Sequence, residues 1–271
     1  MARSAPSLLL AVLAILALLS GVSAWGRTAH QAIATLAYNN LTPRARSSVD
    51  SIVSASSAFS TIEEASVFPD DIRSQRPQTG SQHFINYNGE DPTTGRCAET
   101  SKLPVACNDA KCAVTAIAAH ARVLAQQRNN PARASESLAF LVHFASDISQ
   151  PLHASYVYSP WLRKGWNGVQ VTFNGRRTNL HSAFDSAIPE QTIRTQFGAD
   201  KDSWLQHISE LTTPSAALAS CAASADPLNT AQVTRCAESW AKESVGLVCS
   251  TQIAKAALRV SALLNKILGG R

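Results

Sequence analysis

Residues 135–153 read SESLAFLVHFASDISQPLH, and this stretch decides the fold. Apolar residues recur along it at intervals of three and four: Leu138, Leu141, Val142 and Ala145. This spacing predicts an amphipathic helix over 135–148 that packs one face into a hydrophobic core. Pro151 predicts the end of that helix.

The same helix carries a polar pair that core packing does not explain. His143 and Asp147 are four residues apart, so their side chains point from one helix face. His181 and Asp185 repeat this spacing, and His153 follows the proline. A single pair of this kind is more often a surface ion pair or a satisfied core histidine. Two such pairs in a chain with only 16% charged residues favour a metal site, because imidazole and carboxylate suit zinc.

The first 24 residues have the pattern of a secretory signal. A single charge, Arg3, precedes an apolar run over 8–19, and Val22-Ser23-Ala24 suits signal peptidase. We therefore expect a signal peptide at 1–24 and a secreted protein, either extracellular or in the secretory or vacuolar lumen. The apolar run is too short to span a bilayer, and no later segment is long and apolar enough to be a membrane anchor.

Cleavage after Ala24 would give Trp25 a free α-amine, and an amine with a carbonyl on one residue can chelate a metal. With the donors nearer the N-terminus included, the candidate metal ligands are Trp25, His30, Asp70, His83, His143, Asp147, His153, His181 and Asp185. Zinc usually takes three or four protein ligands. Nine donor residues therefore imply two or three ions, especially if one carboxylate bridges.

The rest of the chain is interpreted as one mostly helical domain over 25–271. With 45% hydrophobic residues the chain is globular and not disordered. Helical periods are predicted at 28–38, 43–53, 231–242 and 247–267, the second of them opened by Thr42-Pro43. His120 and His207 fall outside the metal motifs and are interpreted as ordinary helix residues.

Two stretches lack helical periodicity. Residues 75–109 are rich in Gly, Pro, Asn and Thr and are predicted to be irregular. Residues 169–173, VQVTF, resemble a strand and lead into the turn Asn174-Gly175. This combination predicts a small β-hairpin on the helical body.

Two modifications follow from the sequence of an exported protein. Its six cysteines predict three disulfides, although the sequence does not fix how Cys97, Cys107, Cys112, Cys221, Cys236 and Cys249 pair. Asn40-Leu41-Thr42 is a glycosylation sequon, so Asn40 is a candidate glycosylation site. The formal net charge of +5 is only a weak indication of a polyanionic partner.

Five motifs together resemble a known family. They are Trp25-Gly26 with His30, Pro69-Asp70-Asp71-Ile72-Arg73, His83-Phe84-Ile85-Asn86, the block from Phe140 to His153, and Thr178-Asn179-Leu180-His181 with Asp185. The chain resembles the secreted, zinc-dependent, single-strand-specific nucleases and 3′-nucleotidases of the nuclease S-one and P-one type. These type I nucleases share a superfamily with zinc-dependent phospholipase C. The resemblance covers essentially all of 25–271 and implies an all-α, phospholipase C/nuclease-like fold.

The resemblance also implies three Zn²⁺ ions and a disulfide pairing. The ligand sets it implies are Asp70, His83, His143 and Asp147 for the first ion, His153, His181 and Asp185 for the second, and Trp25, His30 and a bridging Asp147 for the third. For the cysteines it implies Cys97 with Cys249 and Cys107 with Cys112. Cys221 is then left with Cys236 by elimination.

Residues beside the ions acquire roles by the same resemblance. Asp70 would orient the attacking hydroxide and Arg73 would steady the phosphate, as the catalytic residues. Phe84, Asn86 and Asn167 would bind substrate, with a base stacked on Phe84. Two departures from the family are notable. Asn86 stands where relatives often carry Asp, which leaves base preference open. Trp166 replaces the second glycine of Gly-Gly-Asn, which could reshape the wall of the cleft.

The activity that the resemblance implies is endonucleolytic hydrolysis of single-stranded DNA and RNA to 5′-phosphorylated products, with 3′-nucleotidase activity. We expect a monomer without an obligate protein partner. The alternative enzyme is a zinc-dependent phospholipase C, whose relatives usually carry Glu where this chain has Asp185. A secreted zinc-binding or toxin-like protein without catalysis would have lost a ligand or Arg73, and all of them are present.

Overall fold

The computed structural model describes residues 25–85, 87–89, 107, 111–157, 165–211, 216–244, 260, 262 and 264–269. The helices it contains are α1 (Arg27–Asn39), α2 (Pro43–Ser54), α3 (Ile62–Asp71), α4 (Ala113–Gln127), α5 (Pro131–Asp147), α6 (Pro151–Ala154), α7 (Leu180–Ser182), α8 (Ile188–Gln196), α9 (Lys201–Leu211), α10 (Ala216–Ser224) and α11 (Thr230–Ser244). Short 3-10 helices lie at Pro77–His83 and Gly165–Gly168, and a π-helical turn lies at Ala183–Ala187. The mostly helical fold is therefore confirmed.

Helix α5 is the centre of the molecule. Helices α2, α3 and α4 all pack against it. Every residue from Ser137 to Asp147 is therefore buried, and not only the single face that the sequence predicted. The helix begins earlier than predicted, at Pro131, because Pro131 fits the first helical position and the side chain of Asn130 accepts a hydrogen bond from Arg133 N. It ends at Asp147, and Pro151 opens α6 instead of closing α5.

The other predicted helices agree with the structure where it describes them. Helices α1 and α2 start and end within one residue of prediction, and the hydroxyl of Thr42 caps α2 by accepting from Ala45 N at 3.3 Å. Helix α11 covers the predicted 231–242. Most of the predicted helix over 247–267 lies outside the described residues, although 264–268 are helical. No helix among the described residues combines the length and hydropathy needed to cross a bilayer.

The predicted hairpin is present and is joined by a sheet that the sequence did not predict. Strands β3 (Gln170–Phe173) and β4 (Arg176–Asn179) pair antiparallel around Asn174 and Gly175, whose φ angles of 49° and 74° suit a tight hairpin turn. Strands β1 (Tyr87–Gly89) and β2 (Ser155–Val157) pair in parallel. These two strands follow His83 and His153 closely, so their pairing brings the two histidines together.

Two disulfides tie helix ends within the described part of the chain. Cys107 pairs with Cys112 at the N-terminus of α4, and Cys221 of α10 pairs with Cys236 of α11. The first pair matches the one that the family resemblance implied, and the second matches the pair that elimination left. The third expected pair, Cys97 with Cys249, lies outside the described residues.

Candidate metal centre

The first group of donors lies where α5 meets α3 and the 3-10 helix before β1. His83 Nδ1 is 3.0 Å from Asp147 Oδ2 and 2.9 Å from His143 Nε2. Asp70 Oδ1, at the end of α3, is 3.7 Å from both of those ring nitrogens. Both histidines and Asp147 are fully buried, whereas the Asp70 side chain is 14% exposed. Four donors therefore converge on one point, with Asp70 on its solvent side.

The second group lies where the short helices α6 and α7 meet. His153 Nε2 is 2.8 Å from His181 Nε2 and 3.7 Å from Asp185 Oδ1. Asp185 Oδ2 is 3.2 Å from His181 Nε2. All three side chains are buried. The π-helical turn Ala183–Ala187 carries Asp185, so helical geometry holds it over His181.

His30, on α1, lies beside the first group: its ligand atom lies within 4.8 Å of those of Asp70 and His143. His30 Nε2 is 3.2 Å from Asp147 Oδ1, and its ring stacks on that of His143 at 4.0 Å. Both ring nitrogens of His30 are buried, and neither makes a well-directed hydrogen bond within the described part of the chain. Trp25 is fully buried, and its indole Nε1 donates to the carbonyl oxygen of Ser146 at 3.0 Å.

Gly26 allows Trp25 to reach this position. Its backbone N–H donates to the carbonyl oxygen of Asp185 at 2.8 Å. A Cβ at residue 26 would lie 2.0 Å from Oγ of Ser186 and 2.9 Å from that carbonyl oxygen. Any larger residue would therefore push the backbone of Trp25 away from Asp185.

The two oxygens of the Asp147 carboxylate face different imidazoles. Its Oδ1 points to His30, and its Oδ2 points to His83 and His143 at 3.0 and 3.2 Å. Asp147 Oδ1 is buried and makes no hydrogen bond with the described residues. This geometry suits a carboxylate that bridges two cations.

Hydrogen bonds to the backbone fix how two of the imidazoles point. His143 Nδ1 lies 2.7 Å from the carbonyl oxygen of Ser66, and His153 Nδ1 lies 2.9 Å from that of His83. Because a carbonyl oxygen only accepts, each Nδ1 must carry its proton. In the neutral ring, Nε2 then carries no proton, and its lone pair points inward toward a nitrogen of a neighbouring imidazole. Two pairs of ring nitrogens lie less than 3 Å apart in this buried site, His143 Nε2 with His83 Nδ1 and His153 Nε2 with His181 Nε2. Imidazoles oriented through Nδ1 by a backbone carbonyl are typical of metal-binding histidines.

Without metal, His143 differs from the other imidazoles of the site, since burial lowers the pKa of both His30 and His83. Burial by itself lowers the pKa of His143, but the carboxylates of Asp147 and Asp70 outweigh it and raise the pKa to about 9. In the second group, burial lowers the pKa of His181 to about 4, and burial together with His181 holds the pKa of His153 well below its usual range. Burial raises the pKa of Asp185 well above its usual value. At neutral pH the second group therefore offers uncharged imidazoles, while His143 holds a proton.

Metal binding at neutral pH is consequently expected to release protons. His143 is charged below its pKa of about 9, so a metal that binds its Nε2 at pH 7 must displace about one proton there. Affinity should rise with pH until that proton is already lost, and the release should shrink near pH 9.5. Calorimetry of zinc binding in buffers of different ionisation enthalpy measures the number of protons. An equal release at pH 7 and pH 9.5 would contradict the raised pKa of His143.

Arg73 and Phe84 lie together beside the second group. The guanidinium carbon of Arg73 is 5.6 Å from the centre of the Phe84 ring, which is a cation–π distance. The half-buried Phe84 ring lies 4.6 Å from the ring of His153. Arg73 is also close enough to contribute to the lowered pKa of His181, after burial. A cation and an aromatic ring thus lie next to the donors.

The remaining candidate site residues have more varied positions. Asn167 lies in the 3-10 helix Gly165–Gly168, which packs against α7, and its Oδ1 is buried. Asn86 lies outside the described residues. Asn40 is exposed, and its side-chain amide donates to the carbonyl oxygen of Leu36 at 2.7 Å.

His120 and His207 lie apart from the donor groups, as the sequence indicated. His120 stacks on Phe140 at 4.9 Å, and burial lowers its pKa to about 4. His207 is exposed on α9, with its ring 5.2 Å from that of Phe197. Gln150 lies inside the 135–153 stretch, and its side-chain amide donates to Asp185 Oδ1. The sequence analysis did not identify it as a site residue.

Comparisons with known proteins identify a family that this chain resembles. A family model described as S1/P1 Nuclease matches residues 25–258. Nuclease PA3 of a Penicillium species and Nuclease P1 of Penicillium citrinum are each 28% identical to this chain over 228 residues, which is 83% of this chain and 81% of either relative. Endonuclease 4 of Arabidopsis thaliana is 26% identical over 196 residues, 69% of this chain and 62% of that protein.

Proposed function

We propose that this chain, which belongs to the S1/P1 nuclease family and is a hydrolase of phosphodiester bonds, acts on single-stranded nucleic acids. It would cleave both DNA and RNA endonucleolytically. We propose further that the products carry 5′-phosphates, that the enzyme also acts as a 3′-nucleotidase, and that it uses three Zn²⁺ ions. The observation that carries the proposal is the position of the Asp147 carboxylate. Its Oδ1 faces His30, and its Oδ2 faces His83 and His143, all of them buried.

The donor atoms support an allocation of ligands to three ions. We propose that the sets are Asp70, His83, His143 and Asp147 for the first, His153, His181 and Asp185 for the second, and Trp25, His30 and Asp147 for the third. The N-terminal amine and carbonyl of Trp25 would serve in the third set. Bound zinc would supply a water of lowered pKa and a Lewis acid for the phosphate oxygens.

The chain's own residues have separate tasks in the proposed reaction. Asp70 is the ligand residue on the solvent side of the first group, so its carboxylate can orient the attacking water. Arg73 can donate to phosphate oxygens and offset the negative charge that grows on them in the transition state. Buried apolar residues around the clusters, such as Phe144 beside His83, keep bulk water away and so strengthen these charge interactions.

Single-strand preference would follow from Phe84. A base that stacks on this ring must leave its neighbours in the strand, which a stacked duplex resists. The half-buried Phe84 ring lies beside His153 and Arg73, so a base held on it would be close to the donor groups. A nucleotide stacked there would hold its phosphate next to the arginine and the donor groups. We propose that Asn86 and Asn167 add substrate contacts.

Phe84→Ala is expected to weaken nucleotide binding by about 1–3 kcal/mol, the usual worth of one base stack. Phe84→Leu keeps apolar volume without an aromatic face and serves as the matched control, so it should lose a similar amount if stacking is the cause. Both variants should retain their metal, because Phe84 donates no ligand atom. Dissociation constants for a 5′-nucleotide, with metal content measured alongside, test this. Binding equal to wild type would place the base elsewhere, for example on Trp166.

The disulfides and the start of the family match bear on where the enzyme acts. We propose that residues 1–24 are a signal peptide, that 25–271 form a single nuclease domain, and that the enzyme is a secreted monomer glycosylated at Asn40. The family match that begins at residue 25 and the two disulfides support export. The exposure of Asn40 supports glycosylation.

A panel of substrates tests the activity. The chain starting at Trp25 is loaded with zinc and assayed on single-stranded DNA, RNA, 3′-AMP and phosphatidylcholine, with and without a chelator. The expected result is chelator-sensitive hydrolysis of the first three and none of the lipid. Hydrolysis of the lipid alone would identify the phospholipase C alternative. Full zinc loading with no hydrolysis of any substrate would indicate a binding protein without catalysis.

A further inference from the structure

Gln150 is a fully buried polar residue between α5 and α6 that touches the donor groups without belonging to them. We propose that Gln150 is a positioning residue: it fixes the carboxylate of Asp185 and the turn that carries His153, and thereby sets the geometry of the second group. The inference rests on the proposed function only in treating that group as a metal site.

The side chain of Gln150 makes two contacts of opposite polarity. Its Nε2 donates to Asp185 Oδ1 at 2.6 Å, and its Oε1 accepts from Leu152 N at 2.5 Å. The backbone N–H of Leu152 can only donate, so the acceptor end of the amide must face it. The donor end must then face Asp185. A carboxylate has no N–H to offer Asp185, and an apolar side chain can make neither contact.

The backbone of Gln150 adds hydrogen bonds to two of the candidate ligand residues, Asp147 and His153. Its N–H donates to the carbonyl oxygen of Asp147 at 2.9 Å, and its carbonyl oxygen accepts from His153 N at 3.0 Å. Gln150 is also the N-cap of α6, in which Pro151 takes the first position. One residue therefore connects the end of α5, the turn with His153, and Asp185 in the π-helical turn.

The contact with Gln150 fixes how the Asp185 carboxylate is turned. With Oδ1 held by Gln150, Oδ2 lies 3.2 Å from His181 Nε2 and Oδ1 lies 3.7 Å from His153 Nε2. The Asp185 side chain is 4% exposed, so water cannot easily replace a lost donor, and the carboxylate would turn or take a different partner. Residues that orient metal ligands in this way typically change metal affinity by about 10- to 100-fold when they are replaced.

Two substitutions of Gln150 and one control separate positioning from packing. Gln150→Glu keeps an acceptor for Leu152 N but places a carboxylate against Asp185. Gln150→Met keeps the approximate volume and removes both contacts. Ser149→Ala is the matched control, because Ser149 is fully buried in the same turn and its Oγ donates to the carbonyl oxygen of Ala145 at 3.4 Å. The chain from Trp25 to Arg271 is used throughout, and circular dichroism checks its helix content.

The readout is stepwise Zn²⁺ affinity against a chromophoric chelator, together with Co²⁺ absorption spectra that report coordination geometry. Both Gln150 variants are expected to weaken one ion by about 10- to 100-fold and leave the others and the helix content unchanged, with Ser149→Ala like wild type. Wild-type affinity for every ion in both variants would overturn the proposal. So would an equal loss of all ions together with helix content, which would make Gln150 a packing residue. Because this readout does not depend on nucleic-acid cleavage, a failure of the proposed nuclease activity would be seen separately.

Discussion

Asp147→Asn is expected to lower nuclease activity by more than about 10³-fold and to remove more than one metal ion. Loss of a single electrostatic stabiliser commonly costs about 10²–10³ in rate, and Asp147 would serve two ions. Its Oδ1 faces His30 and its Oδ2 faces His83 and His143, all in a fully buried site. An amide removes the negative charge and turns an N–H donor toward one of the two positions.

Metal analysis and activity assays on the same preparation test this prediction. Asp202→Asn serves as a control, since Asp202 is exposed on α9 and lies outside the donor groups. His143→Ala should also abolish activity but disturb fewer ions, because His143 would serve only one. The pKa of His143 in the metal-free protein gives a further readout, as it should fall from about 9 once Asp147 no longer raises it. A full complement of three ions in Asp147→Asn would contradict the bridging role.

A single extra residue in front of Trp25 is expected to remove the third metal ion and most of the turnover. The α-amine, with a reference pKa of about 8, can lose a proton and bind metal, whereas the amide formed by an added residue is a far poorer ligand. The structure adds a steric reason. Trp25 is fully buried, and Gly26 is packed tightly against Ser186 and Asp185, so the backbone of these two residues has little room to shift for an added residue.

The comparison needs two proteins that differ only at this end. One begins at Trp25 after cleavage of a removable fusion, and the other retains one glycine before it. A third protein, with a glycine added after Arg271, controls for the change in length. We expect three ions in the first and third proteins and two in the second, whose other sites keep their ligands. Three ions and full activity in the extended protein would show that Trp25 is only a packing residue.

Much of this molecule could be predicted from local patterns in the sequence. The helix around His143, the helices opened at Arg27 and Pro43, and the hairpin at Asn174-Gly175 depend on spacing, caps and turn residues that are close together in the chain. The parallel pairing of β1 with β2 was not predictable in this way. Each strand is three residues long, and the partners are far apart in sequence, so no local periodicity marks them.

The sequence by itself determined which donors the chain offers and which of them share a face. A four-residue interval on a helix places His143 and Asp147 on one face, and it does the same for His181 and Asp185. Only the tertiary structure decided how these pairs meet. The pairing of β1 with β2, the burial of α5 by its neighbours, and the contacts of Gln150 bring distant segments within hydrogen-bonding distance. Those contacts also determine which ring nitrogen points inward and which residues are charged, because burial and neighbouring carboxylates set protonation.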